Sequence, residues 1–285
     1  KKKKRKMIPV SIVIPTLGND SLKFCLSRIN SSVYVPQEVL VVIPISNLKN
    51  LKVEYSEYKN LRIKIVSSPK KNQVYQRIIG FKKSKSKILM QLDDDILVEK
   101  NCIYNLFKFL KNKKQVAVAP KYVNRNRLSI IYKKPQNKFL KFYHWLINSS
   151  DGYSPGKVAV SGFNYAEENK SKGSSLHQWL SGGAVMHHKK NLILKNYYPY
   201  KFTKCFCEDI LHSLILRQKG IKLFKYFDAK VSEKSQGNIV IKSDMLKSLK
   251  NLYSEYLIRK FIVEKFELSK TRMNIYYLIF LLRIL

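Results

Sequence analysis

The chain has 285 residues, and a hydrophobic content of 45% with 18 Tyr and 14 Phe excludes a disordered protein. Its 55 Lys and Arg face only 19 Asp and Glu, and the net charge of +36 predicts attraction to nucleic acid, anionic lipid or nucleoside diphosphates. Four scattered cysteines argue against a disulfide scaffold and favour a reducing compartment, and no apolar run reaches the length of a membrane span.

The first 120 residues alternate short apolar runs with helical patterns, which is typical of βαβ units building a parallel sheet. Two of the helical patterns begin with a polar side chain that can cap a helix, Asp20 or Ser21 for the first and Asn101 for the second. Five strands are predicted, at Val10 to Pro15, Val39 to Ile43, Leu61 to Val66, Ile88 to Leu92 and Val116 to Ala119. This pattern predicts an α/β fold class.

The middle of the chain is less regular. Residues Lys121 to Gln178 predict long loops with one inserted helix near Phe139 to Ile147, and binding specificity often resides in such loops. A strand at Ala184 to Met186 follows, and then a helix from Glu208 to Lys219 that ends at Gly220. We therefore divide the chain into a basic tail at 1–8, a domain at 9–236 with halves meeting at residue 120, and a helical region at 237–285.

The helical region contains one long amphipathic pattern from Ser243, its predicted cap, to Leu268. Its predicted apolar stripe consists of Met245, Leu246, Leu249, Leu252, Tyr253, Tyr256 and Leu257. Packing of this stripe against the chain's own domain is the favoured interpretation. Contact with an anionic membrane is the alternative, because the helix is also basic.

Three carboxylates stand together at Asp93, Asp94 and Asp95, directly after the predicted strand Ile88 to Leu92. In an open parallel sheet, ligands bind beyond the carboxyl ends of the strands, and hard cations prefer oxygen ligands. The cluster therefore predicts a Mn²⁺ or Mg²⁺ site. The alternative is a solvated turn that caps the next helix.

Four segments in this order, Pro9 to Thr16, Asp93 to Asp95, Gly182-Gly183 and Glu208-Asp209, resemble glycosyltransferase family 2. The resemblance extends over roughly Val10 to Glu233. It implies a GT-A fold, a Rossmann-like nucleotide-diphospho-sugar transferase fold with a mostly parallel central sheet flanked by helices, here with a C-terminal helical tail. It also implies a DXD-type motif that binds ribose and a metal-diphosphate, and inversion at the transferred sugar.

The resemblance assigns roles to single residues. Its donor-binding segments correspond to Pro15, Thr16, Arg77, Asp93, Asp94, Gly182 and Gly183. Asp93 and Asp95 occupy the two Asp positions of the metal motif. Asp209 is the implied catalytic base, with Glu208 as the fallback, and the start of a helix would help to keep Asp209 ionised. The planar fork of Arg77 suits a diphosphate, and adjacent glycines permit close backbone approach.

Three positions leave alternatives open. The segment Pro44-Ile45-Ser46-Asn47 stands where the family usually has an Asp that contacts the base, so the identity of the base is open. Glu233 stands near the position of a family metal-binding His and is a candidate oxygen ligand for the metal. Trp179 is a candidate to stack on an acceptor sugar, and core packing is the alternative.

The leading hypothesis is a metal-dependent inverting glycosyltransferase of the cytoplasm or the inner membrane face. It would move a sugar from a nucleoside-diphosphate-sugar, with a UDP-sugar favoured, to a glycan or lipid-linked acceptor, with peripheral contact to anionic membrane and no specific nucleic acid. One alternative is a nucleotidyltransferase, which would need carboxylates elsewhere on the sheet. The other is a basic nucleic-acid-binding protein, favoured by the charge and the aromatic content.

Overall fold

The structure, a computed structural model of the chain, describes residues 5–51, 54–123, 135, 137–149, 154–165, 170–202, 204–234 and 245–281. The strands are β1 Lys6–Pro15, β2 Tyr34–Pro44, β3 Ile63–Ser68, β4 Ile88–Leu92, β5 Ile96–Val98, β6 Val116–Tyr122, β7 Ser174–His177, β8 Ala184–His188 and β9 Lys222–Glu233. The helices are α1 Ser21–Asn30, α2 Gln73–Lys83, α3 Cys102–Leu110, α4 Lys138–Asn148, α5 Glu208–Gln218, α6 Met245–Lys265 and α7 Lys270–Leu281.

All of these strands join one sheet in the order β3-β2-β1-β4-β8-β6-β9-β5, with β7 paired to β9. Strands β3, β2, β1 and β4 are parallel. Strand β8 is antiparallel to both β4 and β6, and β9 is parallel to β6 but antiparallel to β5 and β7. The predicted α/β class is confirmed. The parallel arrangement holds in the half built by the first strands, and the other half is mixed.

The central strand β1 is buried on both faces of the sheet. Ile12 and Ile14 belong to a core cluster that includes Leu22 of α1. Val13, between them in sequence, points to the opposite face and packs in a second cluster with Phe81 of α2. Burial on both sides explains why consecutive residues of β1, from Ile12 to Ile14, are all apolar, and why this strand was readable from the sequence.

Helix α2 lies close to the sheet because Gly80 faces β1 and β2. A Cβ added there would overlap Val13 Cγ1 and lie 3.0 Å from Val42 Cγ2. We expect Gly80→Ala to lower the free energy of unfolding by about 1–3 kcal/mol through overpacking, although Ala alone favours a helix. Urea unfolding measures this change. Exposed Lys82→Ala is the control, and a Gly80→Ala variant as stable as that control would contradict the close packing.

The helical region packs on the domain through α6, which ends before Glu267, a residue with φ 54°. Ile258 and Ile262 share a core cluster with Leu211 of α5. The predicted apolar stripe of α6 is wrong about which side of the helix packs on the domain. Of the residues in that stripe, Leu252 is buried, whereas Leu246 and Tyr253 are exposed.

Residues Lys270–Leu281 form the separate helix α7. Within the described ranges, no helix combines the length and the apolar character that crossing a membrane requires. Lys1 to Lys4 of the predicted basic tail and the predicted cap Ser243 lie outside the described residues.

Candidate active site

The ends of β1 and β4 and the start of β8 meet at one edge of the sheet. Leu92 of β4 pairs with Ala184 of antiparallel β8, so the residue after β4 lies beside the residue before β8. The Asp93 backbone N–H accordingly donates to the Gly183 carbonyl at 2.8 Å. The strand pairing therefore brings together the Asp cluster and the Gly-Gly segment, which are about 90 residues apart in sequence.

Thr16, directly after β1, joins the same edge. Its hydroxyl donates to Asp94 Oδ2 and accepts from the Gly18 backbone N–H at 3.0 Å. The Gln76 side chain of α2 donates to the Thr16 carbonyl at 2.9 Å. Burial, together with the neighbouring Asp93, raises the pKa of Asp94 to about 6 although Thr16 opposes the rise. Pro15 ends β1 and is buried next to this segment.

Asp95 lies between β4 and β5, and the pairing of β5 with β9 brings Glu233 close to it. Ile96 pairs with Glu233, and the Lys234 backbone N–H donates to the Asp95 carbonyl at 2.9 Å. Burial raises the pKa of the Asp95 carboxyl to about 7, and the charges of Asp93, Glu233 and Asp94 add to the rise. Ionised Asp95 is thus destabilised by burial and by three other carboxylates, a condition that a bound cation relieves.

Asp93 makes its contacts with α2 rather than with the other carboxylates. Its Oδ1 accepts from Gln73 Nε2 at 3.0 Å and from Arg77 at 2.7 Å. Among the residues that the structure describes, no three His, Cys, Asp or Glu side chains are grouped so that they could hold a metal ion. The chemistry of the donor set, carboxylate oxygens with perturbed ionisation, nevertheless suits a hard cation.

Arg77 links the Asp cluster to the start of α5. Its side chain is buried, with 2% of the residue exposed. The guanidinium forms ion pairs with Asp93 at 2.7 Å and with Glu208, and it donates to the Gly182 carbonyl at 3.2 Å. These contacts are all with protein groups and cross-link three segments of the site. The second oxygen of Glu208 accepts from the Tyr197 hydroxyl at 3.1 Å.

Gly182 faces the Glu208-Asp209 pair at close range. A Cβ at this position would overlap Glu208 Oε1 and would lie 3.3 Å from Asp209 Cβ. A Cβ on Gly183 would lie 2.7 Å from the Tyr122 hydroxyl. The two motifs, separated by more than 20 residues in sequence, are therefore in contact.

The first turn of α5 holds both acids. Glu208 is buried with its two oxygens occupied by Arg77 and Tyr197, whereas Asp209 is half-buried. One oxygen of Asp209 accepts from the Ile210 backbone N–H at 2.9 Å.

Trp179 lies apart from this arrangement of charges. Its side chain is buried, and its Nε1–H donates to the Tyr165 carbonyl at 2.8 Å. This environment favours the core-packing interpretation.

Sequence reasoning missed the contributions of Gln73 and Tyr197. Gln73 precedes Arg77 by one helical turn, which places both on one face of α2 and was a usable signal. Tyr197 carries no sequence signal, since it reaches Glu208 from an irregular segment.

Loss of Arg77 should lower the free energy of unfolding of the protein. In Arg77→Met, Asp93 and Glu208 would remain near each other without the cation, and breaking a buried ion pair by removing one partner costs about 3–5 kcal/mol. Chemical denaturation of this variant measures the loss. Arg28→Met, at an exposed position of α1, is the matched control, and equal stability of the two variants would contradict the cross-link.

One comparison with known proteins identifies a family. The profile of the family "Glycosyl transferase family 2" matches residues 11–165, more than half of the chain. This confirms the resemblance found in the sequence. The match ends before Gly182, Glu208 and Asp209, whose positions rest on the structure described above. No match to the chain was found among curated proteins.

Solved structures show the same fold. GalNAc-T7 with UDP, GalNAc and Mn²⁺ superposes with a TM-score of 0.57 at 19% identity, over 85% of this chain and 47% of that protein. The mannosyltransferase PcManGT from Pyrobaculum calidifontis with GDP-Man and Mn²⁺ gives 0.52 at 14% identity, over 87% and 63%. TarS 1-349 of S. aureus gives 0.51 at 13% identity, over 88% and 65%. This chain thus spans less than two thirds of each of these structures.

Proposed function

The chain belongs to glycosyltransferase family 2 and is a glycosyltransferase, and from this premise we propose a metal-dependent, inverting transfer of sugar from a nucleoside-diphosphate-sugar to an acceptor hydroxyl. The observation that carries the proposal is the contact of Asp93 with Arg77 and of Gly182 with Glu208 at one sheet edge. Membership of this family favours sugar transfer over the two alternatives, a nucleotidyltransferase and a nucleic-acid-binding protein.

The donor side of the proposal uses the segments after β1 and β4. Pro15, Thr16 and Asp94 would border the nucleotide, with Gly182 and Gly183 approaching the donor through the backbone. Similar folds have been crystallised with UDP and with GDP-Man, and we favour a UDP-sugar. Strand β2 ends at Pro44, in the segment where the family usually has an Asp. We therefore propose no direct contact between this segment and the base.

Arg77 in this proposal is a positioning residue that holds Asp93 and Glu208, in contrast to the nucleotide contact implied by the family resemblance. The buried guanidinium already donates to two carboxylates and one carbonyl.

Asp95, Asp93 and Glu233 are the residues that we propose to hold Mn²⁺ or Mg²⁺. Among the described residues these side chains do not by themselves form a complete ligand set, so diphosphate oxygens of the donor and water would supply the remaining ligands. The raised pKa of Asp95 beside two further carboxylates supports this assignment. Such a cation supplies charge neutralisation for the departing diphosphate. The structures of GalNAc-T7 with UDP and of PcManGT with GDP-Man, which have similar folds, also contain Mn²⁺.

Asp209 is the proposed general base. The acceptor oxygen would attack the anomeric carbon while its proton passes to the Asp209 carboxylate, and the bond from that carbon to the diphosphate oxygen would break on the opposite face. Glu208 is less suited to this role, since Arg77 and Tyr197 hold both of its oxygens. We assign Glu208 to positioning of the α5 start.

The acceptor remains a glycan or lipid-linked hydroxyl in this proposal. Trp179 is buried, and its indole N–H donates to the Tyr165 carbonyl. We therefore propose that it supports the Gly-Gly segment from within the core. A cytoplasmic location with peripheral contact to the inner membrane face is likewise proposed.

A thermal-shift series with UDP, GDP and their sugars, each with Mn²⁺ or with chelator, tests the proposed donor and metal. We expect at least one nucleotide to raise the melting temperature only in the presence of Mn²⁺, because ligand binding to the folded state stabilises it. Equal shifts with Mn²⁺ and with chelator, or no shift with any nucleotide, would contradict the proposal.

A further inference from the structure

Helix α4 presents aromatic side chains to solvent. Phe139, Phe142 and Trp145 are 72%, 57% and 47% exposed. Their spacing of three residues places them along one side of the helix, and the rings of Phe142 and Trp145 stack with centroids 5.7 Å apart. We refer to these three residues as the aromatic face. Large apolar groups gathered in this way commonly mark an interaction surface.

The aromatic face is not needed to hold α4 on the protein. The opposite side of the helix packs Tyr143 and Ile147 into a core cluster with Met273 of α7. The Asn137 side chain caps the first turn by accepting from the Leu140 N–H at 2.8 Å. At the other end, Arg272 of α7 donates to the Trp145 carbonyl at 2.8 Å. The helix is therefore fixed, with its aromatic face directed outward.

The charges around this face are basic. Lys138 and Lys141 are exposed on α4, which has no acidic residue, and the Arg272 guanidinium lies 5.7 Å from the centroid of the Trp145 ring. Helices α4, α6 and α7 together contain nine Lys and Arg and two Glu. Aromatic rings and cations on a helix that carries no carboxylate match the interface of an anionic bilayer, where rings enter the headgroup region and cations contact lipid phosphates.

We propose that the aromatic face of α4 inserts into the headgroup region of an anionic phospholipid bilayer. This inference gives the membrane contact a different surface from the α6 stripe expected from the sequence. Its occupant is the bilayer itself, chosen because the aromatic face and the basic charge coincide on one helix. The inference does not depend on the donor, metal or base assigned above.

Tryptophan fluorescence provides a specific test, because the chain contains two Trp, exposed Trp145 and buried Trp179. In a Trp179→Phe background, Trp145 is the only reporter. We expect vesicles of phosphatidylglycerol to shift its emission to the blue and to co-sediment the protein, and vesicles of phosphatidylcholine to do neither. Lipids brominated near the headgroup should quench the same emission.

Phe139→Ser with Phe142→Ser removes apolar area without removing the reporter. We expect at least about tenfold weaker partitioning of this double variant to the anionic vesicles. The matched control is Phe24→Ser with Leu176→Ser, two exposed apolar side chains outside α4, which should partition as the parent does. Circular dichroism checks that both variants fold.

Three results would overturn the inference. The first is co-sedimentation with an unchanged Trp145 emission, which would mean that another surface binds. The second is equal binding to neutral and anionic vesicles. The third is self-association of the protein that the double variant abolishes without vesicles, which would identify the aromatic face as a contact between copies of the chain. The nucleotide thermal shift of the double variant separates this test from the proposed function, because it should equal that of the parent.

Discussion

Asp209→Asn should lower the rate of sugar transfer by about 10²–10⁴-fold, the usual contribution of a general base, while the dissociation constant of the donor stays unchanged. The substitution keeps the shape of a half-buried side chain in the first turn of α5 and removes its basicity. Single-turnover transfer and calorimetric titration of the donor measure the two quantities separately. Near-normal transfer by this variant would contradict the assignment.

Glu208→Gln is the control for Asp209→Asn because it changes the adjacent acid. The introduced amide would face the buried Arg77 without a negative charge, so we expect a loss of about 2–4 kcal/mol in unfolding free energy. Asp209→Asn should unfold like the parent protein. A slow but stable Asp209→Asn and an unstable Glu208→Gln together separate catalysis from positioning.

Asp95→Ala should weaken Mn²⁺-dependent donor binding by at least about 10²-fold. Residues that only orient metal ligands contribute about 10–100-fold to metal affinity, and Asp95 is itself a proposed ligand. The fold should remain, because the substitution removes one member of a crowded carboxylate group. Calorimetry with and without chelator measures the effect. Donor binding that is unchanged in the variant and indifferent to chelator would refute the metal assignment.

The same variant should be more stable than the parent when chelator is present. The pKa of Asp95 is raised from an ordinary 3.8 to about 7, so the folded state disfavours its ionised form, and the parent loses stability as pH rises through this window. At pH 8 we expect a gain of about 1–2 kcal/mol, a value reduced for solvent screening of a half-buried group, and a much smaller gain at pH 4. Urea unfolding at both pH values tests this. The exposed Asp20→Ala is the control, and lower stability of Asp95→Ala at pH 8 would contradict the account.

The sequence was most informative where strands are buried on both faces. The predicted strand Ile88 to Leu92 has the observed bounds of β4, in which four of the five residues are apolar. Strand β7 was missed because it has one apolar residue among its four and lies outside the main strand order. Strand β5 is too short, with three residues, to show any periodicity.

The α6 stripe was misplaced because burial in this helix does not follow hydrophobicity. Arg259 and Glu255 are buried as an ion pair, and the Arg259 side chain also donates to the Tyr277 hydroxyl at 3.0 Å. A pattern analysis counts both residues as polar and assigns them to the solvent side. The observed packing face of α6 therefore could not be predicted from periodicity alone.

The members of the candidate site were predictable from motif order, but their contacts were not. Asp93 and Gly183 meet because β8 is antiparallel to β4, a pairing that depends on the whole sheet. The ion pair of Arg77 with Glu208 joins residues 131 positions apart. Contacts between such distant segments leave no local pattern in the sequence.

The release of nucleoside diphosphate tests the central claim of metal-dependent sugar transfer most directly. The purified chain would be incubated with a panel of UDP- and GDP-sugars in Mn²⁺, with candidate glycan and lipid-linked acceptors or with water as the acceptor. We predict that at least one donor is turned over, that chelator stops the release and that added Mn²⁺ restores it, and that Asp95→Ala releases none. Turnover that proceeds equally in chelator and in Asp95→Ala would contradict the account, as would the absence of turnover with every donor in the panel.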